Sequence, residues 1–475
     1  MKRYIVRPRA GTHPPAAAAA AAVAATQSIV ETLADAGAEI VKADSTTGHH
    51  VVNLAEADAG QLAASRPDLI VEEDHPIDLF RVPGLPESIP QGDQVELQVT
   101  VRTPDGGAIP DCTIFALGPQ VGFQADTDAA GVARVMVPPG IVERLVCSPR
   151  ANFWSRVVAP PPEGAGLDVQ LDPLDAAAAV RWWHSLLGIG TPGMPTGQGV
   201  SVCVIDSGIQ PLPQLNVVDG VNTLDGENPA AWNVDQKGHG THVAGVIAGR
   251  STGPDTFFGI APDVTLYSAK VFPGGFVSDI VEALDWCRTR RVDLVNMSLG
   301  SRRPSAALAD AVNQAVEAGV TIVVAAGNDA SSVAWPGALP DSITVGAIGK
   351  LGSFPSDSGQ TLKIGPYRDW WGGLFSASFT NHGPEIHVCA PGVAIASTVP
   401  QGFVAWDGTS MACPMITGLL ALALEQAPWL RTGTRYTRDM MAALVAAAAA
   451  PTGMPREYAG AGLLTAPRML RILAG

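Results

Sequence analysis

From about residue 176 onward, continuous apolar runs alternate with helical stretches, and this alternation constrains the fold more than any other feature of the chain. The runs are rich in β-branched residues and read VSVCVID, VTLYSAKV, VDLVNMSL, VTIVVAA and SITVGAI. Helical periodicity occurs between them, in VSDIVEALDWCRTR and SAALADAVNQAVEAG. Strands that are apolar along their whole length belong to parallel sheets with both faces covered by helices. The sequence therefore predicts an α/β domain at residues 178–475, with functional residues at the carboxyl ends of its strands.

Two smaller domains are predicted before this one. Residues 1–81 contain the strands RYIV, AEIVKAD, GHHVVNLA and DLIVEEDHPI, an Ala-rich helix and the short helix EADAGQLAAS, which is typical of a small α+β domain. After the Pro-rich break VPGLPESIPQGD, residues 92–173 contain short alternating strands separated by turns. That pattern predicts a β-sandwich. We see no catalytic cluster in the sandwich and interpret it as a binding or spacer module.

Composition excludes several classes of protein. The 475 residues are 47% hydrophobic and 16% charged, as expected of a globular chain with two or three domains. A net charge of −15 argues against a nucleic-acid or anionic-membrane partner, and no stretch is apolar enough to span a bilayer. Six cysteines do not make a disulfide scaffold. Cys203, Cys389 and Cys413 lie in apolar segments and are predicted to be buried thiols, whereas a pairing of Cys112 with Cys147 stays open.

The N-terminus loosely resembles a signal peptide, because MKRYIVRPRAGTHPP precedes the run AAAAAAAVAA. However, YIV already has the pattern of a strand, and the Ala run continues into an amphipathic helix that ends at Gly37. We therefore do not predict an ordinary signal peptide, and we leave a cytoplasmic location or a non-standard export route open.

Two candidate polar residues begin the functional assignment. Asp206 ends the buried strand VSVCVID, where a charge is costly without a partner, although a turn or helix-capping role is the alternative. His239 opens the apolar helix in GHGTHVAGVIAG, and His242 follows one turn later. Two histidines at this spacing could bind a metal, but no third ligand stands nearby. We expect His239 to face a cleft and His242 to be packed and hydrogen-bonded.

Two further strand ends carry candidates. Gly327 and Asn328 follow the strand TIVVAA, where an Asn usually serves a turn but can also donate its amide to a developing oxyanion. Ser298, Leu299 and Gly300 end VNMSLG, and their backbone could pair with an extended peptide.

Ser410 stands in DGTSMACPM, immediately before a long apolar run. It would lie in the first turn of a buried helix, where unpaired N–H groups and the helix dipole favour negative charge. A helix cap is one reading of this position. A nucleophile whose products of attack are anionic is the other.

In the chain order Asp, His, Asn, Ser, these motifs resemble the subtilisin family of serine endopeptidases. The resemblance covers about residues 178–475 and includes VIDSGI, HGTHVAG, NMSLG, AAGN, GTSMACP, FTNHGPEIHVCAPG and AGAGLLTA. It implies a subtilisin-like α/β fold and hydrolysis of peptide bonds through an acyl-enzyme. Ser410 would be the nucleophile, His239 the general base and then acid, and Asp206 the residue that orients the imidazole. Asn328 and the N–H of Ser410 would bind the oxyanion.

The resemblance also places the substrate. A peptide would lie extended between Ser298–Gly300 on one side and Gly274, Gly275 and Phe276 on the other. The primary pocket would lie between Ser298–Gly300, Ala326–Asn328 and Ala334–Pro336. It has no charged wall that we can identify except Asp329, so we expect apolar residues before the scissile bond.

Residues 1–81 resemble the family's propeptide, which acts as folding chaperone and intramolecular inhibitor, so the resemblance implies a self-inhibited zymogen. An unrelated α+β module is the alternative. The sandwich resembles transthyretin-like or carboxypeptidase-regulatory domains, and its insertion makes the autocleavage site hard to place. The family resemblance further implies protein or peptide substrates and secretion.

The chain departs from the family pattern in three places. Gln214 stands where many members carry a calcium-ligating Asp, and the loop GRSTGPDTFFG lacks a run of oxygen ligands, so a structural calcium is possible but its usual site looks degraded. No cofactor is expected for the chemistry, and no catalytic metal is predicted. Met415 replaces the family's usual His, which should affect packing more than chemistry. Residues 351–377 look like an aromatic insertion, either a packed surface loop or a cleft wall or partner-binding patch.

Two other functions remain open at this stage. The chain could be a catalytically silent protease fold that binds a partner through its sandwich, or a dedicated maturation protease with one peptide target. Intact Asp206, His239, Asn328 and Ser410 argue against the silent fold.

Overall fold

The computed structural model of the chain describes residues 1–9, 19–44, 47–79, 93–119, 121–162, 164–251 and 259–475. The Pro-rich break predicted at residues 82–93 lies outside the described residues except for its last residue, Asp93. The helices in the described ranges are α1 (Ala19–Asp35), α2 (Glu56–Ser65), α3 (Ala176–Leu187), α4 (His239–Ala248), α5 (Val277–Arg290), α6 (Ala306–Glu317), α7 (Thr409–Gln426), α8 (Arg435–Ala448), α9 (Arg456–Ala459) and α10 (Ala466–Ala474).

The N-terminal unit is an antiparallel sheet with helices packed on it. Its strands are β1 (Lys2–Pro8), β2 (Glu39–Ala43), β3 (His50–Leu54) and β4 (Leu69–Glu73), in the spatial order β2-β3-β1-β4. Ile29 and Leu33 of α1 are buried against Val52 and Leu54 of β3. The two-residue strand β5 (Asp78–Leu79) follows and pairs outside this sheet.

Two small sheets enclose a separate core in the second unit. Their strands are β6 (Val95–Arg102), β7 (Thr113–Leu117), β8 (Gly122–Asp126), β9 (Val132–Val137), β10 (Arg144–Ser148), β11 (Arg156–Val158) and β12 (Leu167–Gln170), in the orders β11-β10-β7-β8 and β12-β6-β9. Leu97, Val99 and Val101 alternate into this core, as the period-two pattern of a half-buried strand requires. The sequence pattern missed β8, β10 and β11. Cys112 and Cys147 are both buried here as free thiols.

The third unit contains a mainly parallel sheet. The strands of the unit, from β13 to β22, are β13 (Ser201–Asp206), β14 (Val217–Asn222), β15 (Thr265–Lys270), β16 (Leu294–Met297), β17 (Leu299–Gly300), β18 (Thr321–Ala325), β19 (Ile343–Lys350), β20 (Ile364–Arg368), β21 (Leu374–Ala377) and β22 (Val388–Pro391). In the described part of the chain the sheet order is β14-β15-β13-β16-β18-β19-β21-β20, with β22 also paired to β19, while β17 pairs with β5. A two-stranded hairpin of β23 (Ile395–Val399) and β24 (Gly402–Trp406) completes the unit.

Both faces of this sheet are covered, which explains why its strands are apolar throughout. Val202 and Val204 of β13 belong to the cluster that contains α4 and α7, whereas Cys203 and Ile205 belong to the cluster that contains α5 and α6. The predicted α/β fold class with a parallel sheet is confirmed.

The aromatic insertion at 351–377 divides between buried and exposed residues. It supplies β20 and β21 at the sheet edge, where Phe375 is fully buried. Trp370 and Trp371 at the turn are 66% and 82% exposed. Among the residues that the structure describes, we find no helix both long and apolar enough to cross a membrane.

Candidate active site

Asp206 and His239 meet where β13 ends and α4 begins. The ring Nδ1 of His239 lies 2.8 Å from Oδ1 and 3.0 Å from Oδ2 of Asp206. Since a carboxylate only accepts hydrogen bonds, Nδ1 is the donor, and the lone pair of the neutral ring lies on Nε2. Asp206 is fully buried, and its Oδ1 also accepts the N–H of Ser207 at 2.7 Å. The sequence analysis expected a buried charge at Asp206 to need a partner, and in the structure that partner is the ring of His239.

The start of α4 is held by a carboxylate that the sequence reading missed. Asp235 is buried and accepts hydrogen bonds from the N–H of Gly238 at 2.8 Å, the N–H of Thr241 at 2.9 Å and the hydroxyl of Thr241 at 2.6 Å. The hydroxyl of Ser207 also donates to it at 2.9 Å, and this links α4 to the end of β13. The available signal was an acidic residue four positions before His239, close to the unpaired N–H groups of a helix start.

Electrostatics favour the charged form of His239. Burial alone would lower the pKa of His239, but the Asp206 carboxylate, with help from Asp235, raises that pKa above its usual value. His242 behaves differently, because burial lowers its pKa to about 3 and its Nε2 lies 3.0 Å from the carbonyl of Ile395. Trp406 stacks on His242 at a centroid distance of 4.8 Å and lies 6.2 Å from the ring of His239. Trp406 is thus a second neighbour of the site that the sequence did not reveal.

Ser410 lies in the first turn of α7, which begins directly after Gly408. Its hydroxyl donates to the carbonyl of Ser298 at 3.1 Å, and the hydroxyl of Ser298 donates back to the carbonyl of Ser410 at 2.8 Å. The structure therefore brings Ser410 to the end of β16. Within the described ranges, the hydroxyl of Ser410 makes no hydrogen bond to His239 in this rotamer, a looseness that is common in active sites without substrate.

Asn328 lies beside the turn that precedes Ser410. Its amide oxygen accepts the N–H of Thr409 at 2.9 Å and the hydroxyl of Thr409 at 2.8 Å. This pairing fixes the amide plane, and the amide nitrogen then lies against Gly408, where a Cβ would come within 3.3 Å of it. The N–H of Gly327 donates to the hydroxyl of Thr409 at 3.1 Å, so Gly327 and Asn328 both hold the start of α7.

The strands predicted to bind substrate are occupied by the chain itself. Leu79 and Asp78 of β5 pair antiparallel with Leu299 and Gly300 of β17. On the other side, the N–H of Ile77 donates to the carbonyl of Gly275 at 3.0 Å. We call residues 75–79 the inhibitor strand, a label taken from the propeptide resemblance expected from the sequence.

The opposite wall of the cleft is built by the segment before α5. The N–H of Val277 donates to the carbonyl of His75 at 3.0 Å, and Pro76 lies opposite Phe276. Gly274 has φ +80°, a left-handed conformation that glycine adopts without strain, in the turn that leads to this wall.

Two acidic side chains of the N-terminal unit bind the helices that flank the inhibitor strand. Asp74 accepts the N–H of Ser278 at 3.0 Å and its hydroxyl at 2.7 Å, at the start of α5. Glu72 accepts the N–H of Ala306 at 2.8 Å and the hydroxyl of Ser305, at the start of α6. Carboxylates at helix N-termini are stabilised by the unpaired N–H groups and by the helix dipole.

The predicted primary pocket has one acidic residue near it, and that residue has a partner. A carboxylate oxygen of Asp329 lies 2.7 Å from a guanidinium nitrogen of Arg302. Ala326 and Ala334, on two of the predicted walls, are buried and apolar. Which residue the pocket prefers remains a prediction.

The calcium position offers a poor donor set. The side-chain oxygen of Gln214 is buried without a hydrogen-bond partner, so one neutral oxygen is available there. Across the ranges that the structure describes, no three His, Cys, Asp or Glu side chains converge on one point. Residues 252–258, within the loop after α4, lie outside the described residues. Since Ca²⁺ takes six to eight oxygens, including carboxylates, the described residues do not fit it at Gln214.

The chain is similar in sequence to known proteins. A family model described as the subtilase family matches residues 197–462. The chain is 38% identical over 252 residues to subtilisin E from Bacillus subtilis (strain 168), covering 50% of this chain and 59% of that protein. It is 37% identical over 252 residues to subtilisin from Bacillus pumilus, covering 50% of this chain and 82% of that protein.

A solved structure extends the similarity beyond the matched region. Fervidolysin from Fervidobacterium pennivorans, described as a keratinolytic enzyme related to subtilisin, aligns with a TM-score of 0.64 and 18% identity. The alignment covers 99% of this chain and 61% of that one, and it shows the fold alone. Since the family model covers more than half of the 475 residues, the chain belongs to the subtilase family.

Proposed function

We propose that the protein is a serine endopeptidase that is made as a self-inhibited zymogen. The observation that carries this proposal is the inhibitor strand, which lies antiparallel along Leu299–Gly300. Those residues directly follow Ser298, whose carbonyl accepts the hydroxyl of Ser410. A cleft that takes an extended peptide next to a hydroxyl nucleophile is suited to cutting peptide bonds.

The proposed chemistry uses four side chains. A rotation about the Cα–Cβ bond of Ser410 would move its hydroxyl from the Ser298 carbonyl toward Nε2 of His239. His239 then takes the hydroxyl proton while the serine oxygen bonds to the scissile carbonyl carbon, and Asp206 stabilises the resulting imidazolium. The negative charge on the carbonyl oxygen is bound by the Asn328 amide and the N–H of Ser410.

Collapse of this intermediate breaks the C–N bond, and the imidazolium of His239 gives its proton to the leaving amine. Water repeats the sequence on the acyl-enzyme, with His239 again as the base, and regenerates the hydroxyl of Ser410. Deacylation consumes one water molecule, whose hydroxyl enters the product acid and whose proton passes through His239 to the serine oxygen.

Self-inhibition rests on the same contacts. While residues 75–79 occupy both walls of the cleft, another peptide cannot pair with Gly275 or with Leu299 and Gly300. Asp74 and Glu72 hold the strand in place through the starts of α5 and α6. Cleavage beyond Leu79 and release of the N-terminal unit would then open the cleft.

A fluorophosphonate probe tests the nucleophile directly, because it phosphonylates an activated serine. We expect labelling that increases as the N-terminal unit is released, and we expect Ser410→Ala to abolish it. Ser342→Ala is the matched control, since Ser342 is also buried and its hydroxyl donates to the carbonyl of Pro336 at 2.8 Å. No labelling, even after residues 1–176 are removed, would favour the catalytically silent binding fold instead.

We further propose that the enzyme prefers apolar residues before the scissile bond. Ile77 and Leu79 of its own inhibitor strand are apolar, and the charge of Asp329 is already paired with Arg302. Hydrolysis of a peptide panel that varies this one position should be fastest with Leu, Phe or Met. A preference for Arg or Lys would show that Asp329 faces the pocket as a free charge.

A further inference from the structure

A cavity of about 400 Å³ lies where the second unit, which we call the sandwich, meets the third unit, which we call the peptidase unit. Phe115 and Leu117 of β7 line it from the sandwich side, and Val404 and Trp406 of β24 line it from the peptidase side. Its volume lies within the range of about 300–1,000 Å³ that is typical of small-molecule sites. We call it the seam cavity.

Hydrogen bonds join the sandwich to the peptidase unit on either side of the seam cavity. Asn152 of the sandwich donates its N–H to the carbonyl of Phe403 at 2.6 Å and accepts the N–H of Phe403 on its side-chain oxygen at 3.1 Å. At the insertion, the N–H of Val157 donates to the carbonyl of Asp357 at 2.6 Å, and Arg156 pairs with the Asp357 carboxylate at 2.8 Å. These contacts join the two units at two places beside the cavity.

Two ionisable groups face this largely apolar space, and they differ in how well they are satisfied. Asp407 accepts the N–H of Ala394 at 2.8 Å and the amide of Gln360 at 3.3 Å. The amine of Lys363 makes no hydrogen bond or ion pair with any residue in the described ranges, although it lines the same cavity. Burial lowers the pKa of Lys363, with Asp407 opposing that effect, and burial raises the pKa of Asp407 to about 6. A carboxylate in the cavity would give this ammonium group an acceptor, in a charge-assisted hydrogen bond.

We propose that the seam cavity binds a small apolar carboxylate, with its hydrocarbon or aromatic body against Phe115, Leu117 and Trp406 and its carboxylate on the amine of Lys363. An acid fits better than an amine, because Asp407 already has two donors whereas Lys363 has no acceptor. The same chemistry is presented by a free aromatic or aliphatic acid and by the C-terminal residue of a short peptide.

The position of the cavity connects its occupant to the active site. Trp406 lines it and stacks on His242, in the helix that begins with His239. Asp407 also lines it and stands three residues before Ser410. A ligand in the seam cavity would therefore contact the segment that leads into α7.

Calorimetry on the full chain carrying Ser410→Ala tests the site without any hydrolysis. We expect N-acetylphenylalanine to bind saturably with one site per chain and phenylalaninamide, its cationic counterpart, not to bind. N-acetylalanylphenylalanine separates the two sources: affinity equal to that of the free acid assigns the site to peptide C-termini, and much weaker affinity assigns it to free acids.

Variants then locate the binding. Lys363→Met should raise the Kd of N-acetylphenylalanine by at least roughly tenfold, the loss expected for a charge-assisted hydrogen bond, whereas Lys363→Arg should change it little. Lys350→Met, a lysine outside the cavity lining, is the matched control and should leave the Kd unchanged. Asp407→Asn keeps an acceptor for the N–H of Ala394 but removes a negative charge, so it should tighten binding severalfold.

Two results would overturn the proposal. One is the absence of saturable binding of either carboxylate at millimolar concentration. The other is binding that Lys363→Met leaves unchanged, which would place the ligand elsewhere, for example in the substrate cleft. Thermal unfolding of each variant excludes misfolding as the cause, and Asp407→Asn gives an independent reading. Neither failure bears on the proposed endopeptidase, because no arm of the experiment measures catalysis.

Discussion

The protonation of His239 depends on how completely its carboxylate partner is buried. Asp206 is fully buried and both of its oxygens lie within 3.0 Å of Nδ1 of His239, so the charge acts in poorly hydrated surroundings. Burial of the ring works in the opposite direction, but the net effect raises the pKa of His239. Since the general base must be neutral, the raised pKa sets the lower pH limit of the proposed reaction.

Asp206→Asn should therefore change both the rate and its pH dependence. We expect kcat to fall by roughly 10⁴-fold, because the imidazole loses the partner that fixes its tautomer. The acid limb of kcat/KM should move to lower pH, since the charge that raised the pKa of His239 is gone. The measurement is the pH profile of kcat/KM on a chromogenic peptide, with the released enzyme. Asp439→Asn, a half-exposed carboxylate in α8, should leave the profile unchanged, and an unshifted acid limb in Asp206→Asn would contradict the assigned role.

Sequence motifs were sufficient to choose Asp206, His239 and Ser410 as candidates, because each is a polar residue at the end of a buried strand or the start of an apolar helix. Asp235 and Trp406 could not be chosen in the same way. The role of Asp235 as an acceptor for the first N–H groups of α4 can be recognised only once the start of that helix is known. Trp406 contacts the histidines from a hairpin that lies more than 160 residues later in the chain.

At the scale of elements, β4 and the inhibitor strand form one continuous segment that contacts the starts of α5 and α6. Glu72 and Asp74 stand two residues apart, so they project from the same face of an extended chain and reach the starts of α6 and α5. Glu73 lies between them, is half exposed and pairs with Lys2 at 3.2 Å. The alternation thus separates the carboxylates that bind the peptidase unit from the one that does not.

The double variant Glu72→Gln/Asp74→Asn should release the inhibitor strand sooner. Replacing a carboxylate at a helix start weakens the cap by about 1 kcal/mol each, because the amide carries no charge to meet the helix dipole. We expect labelling by the fluorophosphonate probe to appear several times faster than in the wild-type chain. Glu73→Gln is the control on the same strand and should keep the wild-type time course. Equal time courses for all three chains would mean that the caps do not hold the strand.

Continuous apolar runs predicted the strands of the parallel sheet well, since burial on both faces leaves a strong signal in strands such as β13 and β18. Two-residue pairings such as β5 with β17 leave no such signal, because their backbone hydrogen bonds are independent of side-chain type. The contact of Asn152 with the β23–β24 hairpin also could not be predicted from the sequence. Asn152 adopts φ +66°, and in sequence an Asn there predicts only a turn.

At the scale of the whole molecule, charges on the N-terminal unit meet charges on α5 and α6. Arg7 is buried, with guanidinium nitrogens 3.3 Å from Asp310 and 3.7 Å from Asp285. Lys42 lies 2.6 Å from Asp279. His49 lies close to both cations and is only 3% exposed. Neither of its ring nitrogens has a hydrogen-bond partner among the residues that the structure describes. A protonated imidazole would be strongly disfavoured in this position.

Acidification should therefore loosen the N-terminal unit through His49. Burial, reinforced by Arg7, His50 and Lys42 and opposed by Asp44, lowers its pKa from 6.5 to about 3. A state that exposes the ring binds protons more readily below pH 6.5. The contribution of His49 to stability is thus complete above that pH and is lost progressively as the pH falls toward 3. At pH 5 the loss reaches about 2 kcal/mol relative to a state with an exposed histidine.

Release of the N-terminal unit should increase as the pH falls, whereas the rate of the chemistry should increase as the pH rises, because the raised pKa of His239 keeps the base protonated at low pH. Hydrogen exchange in the Ser410→Ala chain separates the two effects, because it reports opening without hydrolysis. The amide of Ile77, which donates to Gly275, should lose protection between pH 7 and pH 5 once intrinsic exchange rates are corrected. His49→Leu removes the titrating group from an apolar position and should keep the protection, whereas His387→Leu in the peptidase unit should behave as the parent chain does. Equal loss in His49→Leu would assign the opening to other groups, such as the carboxylates at the helix starts. An enzyme with both properties would be released in acid and would work best after return to neutral pH.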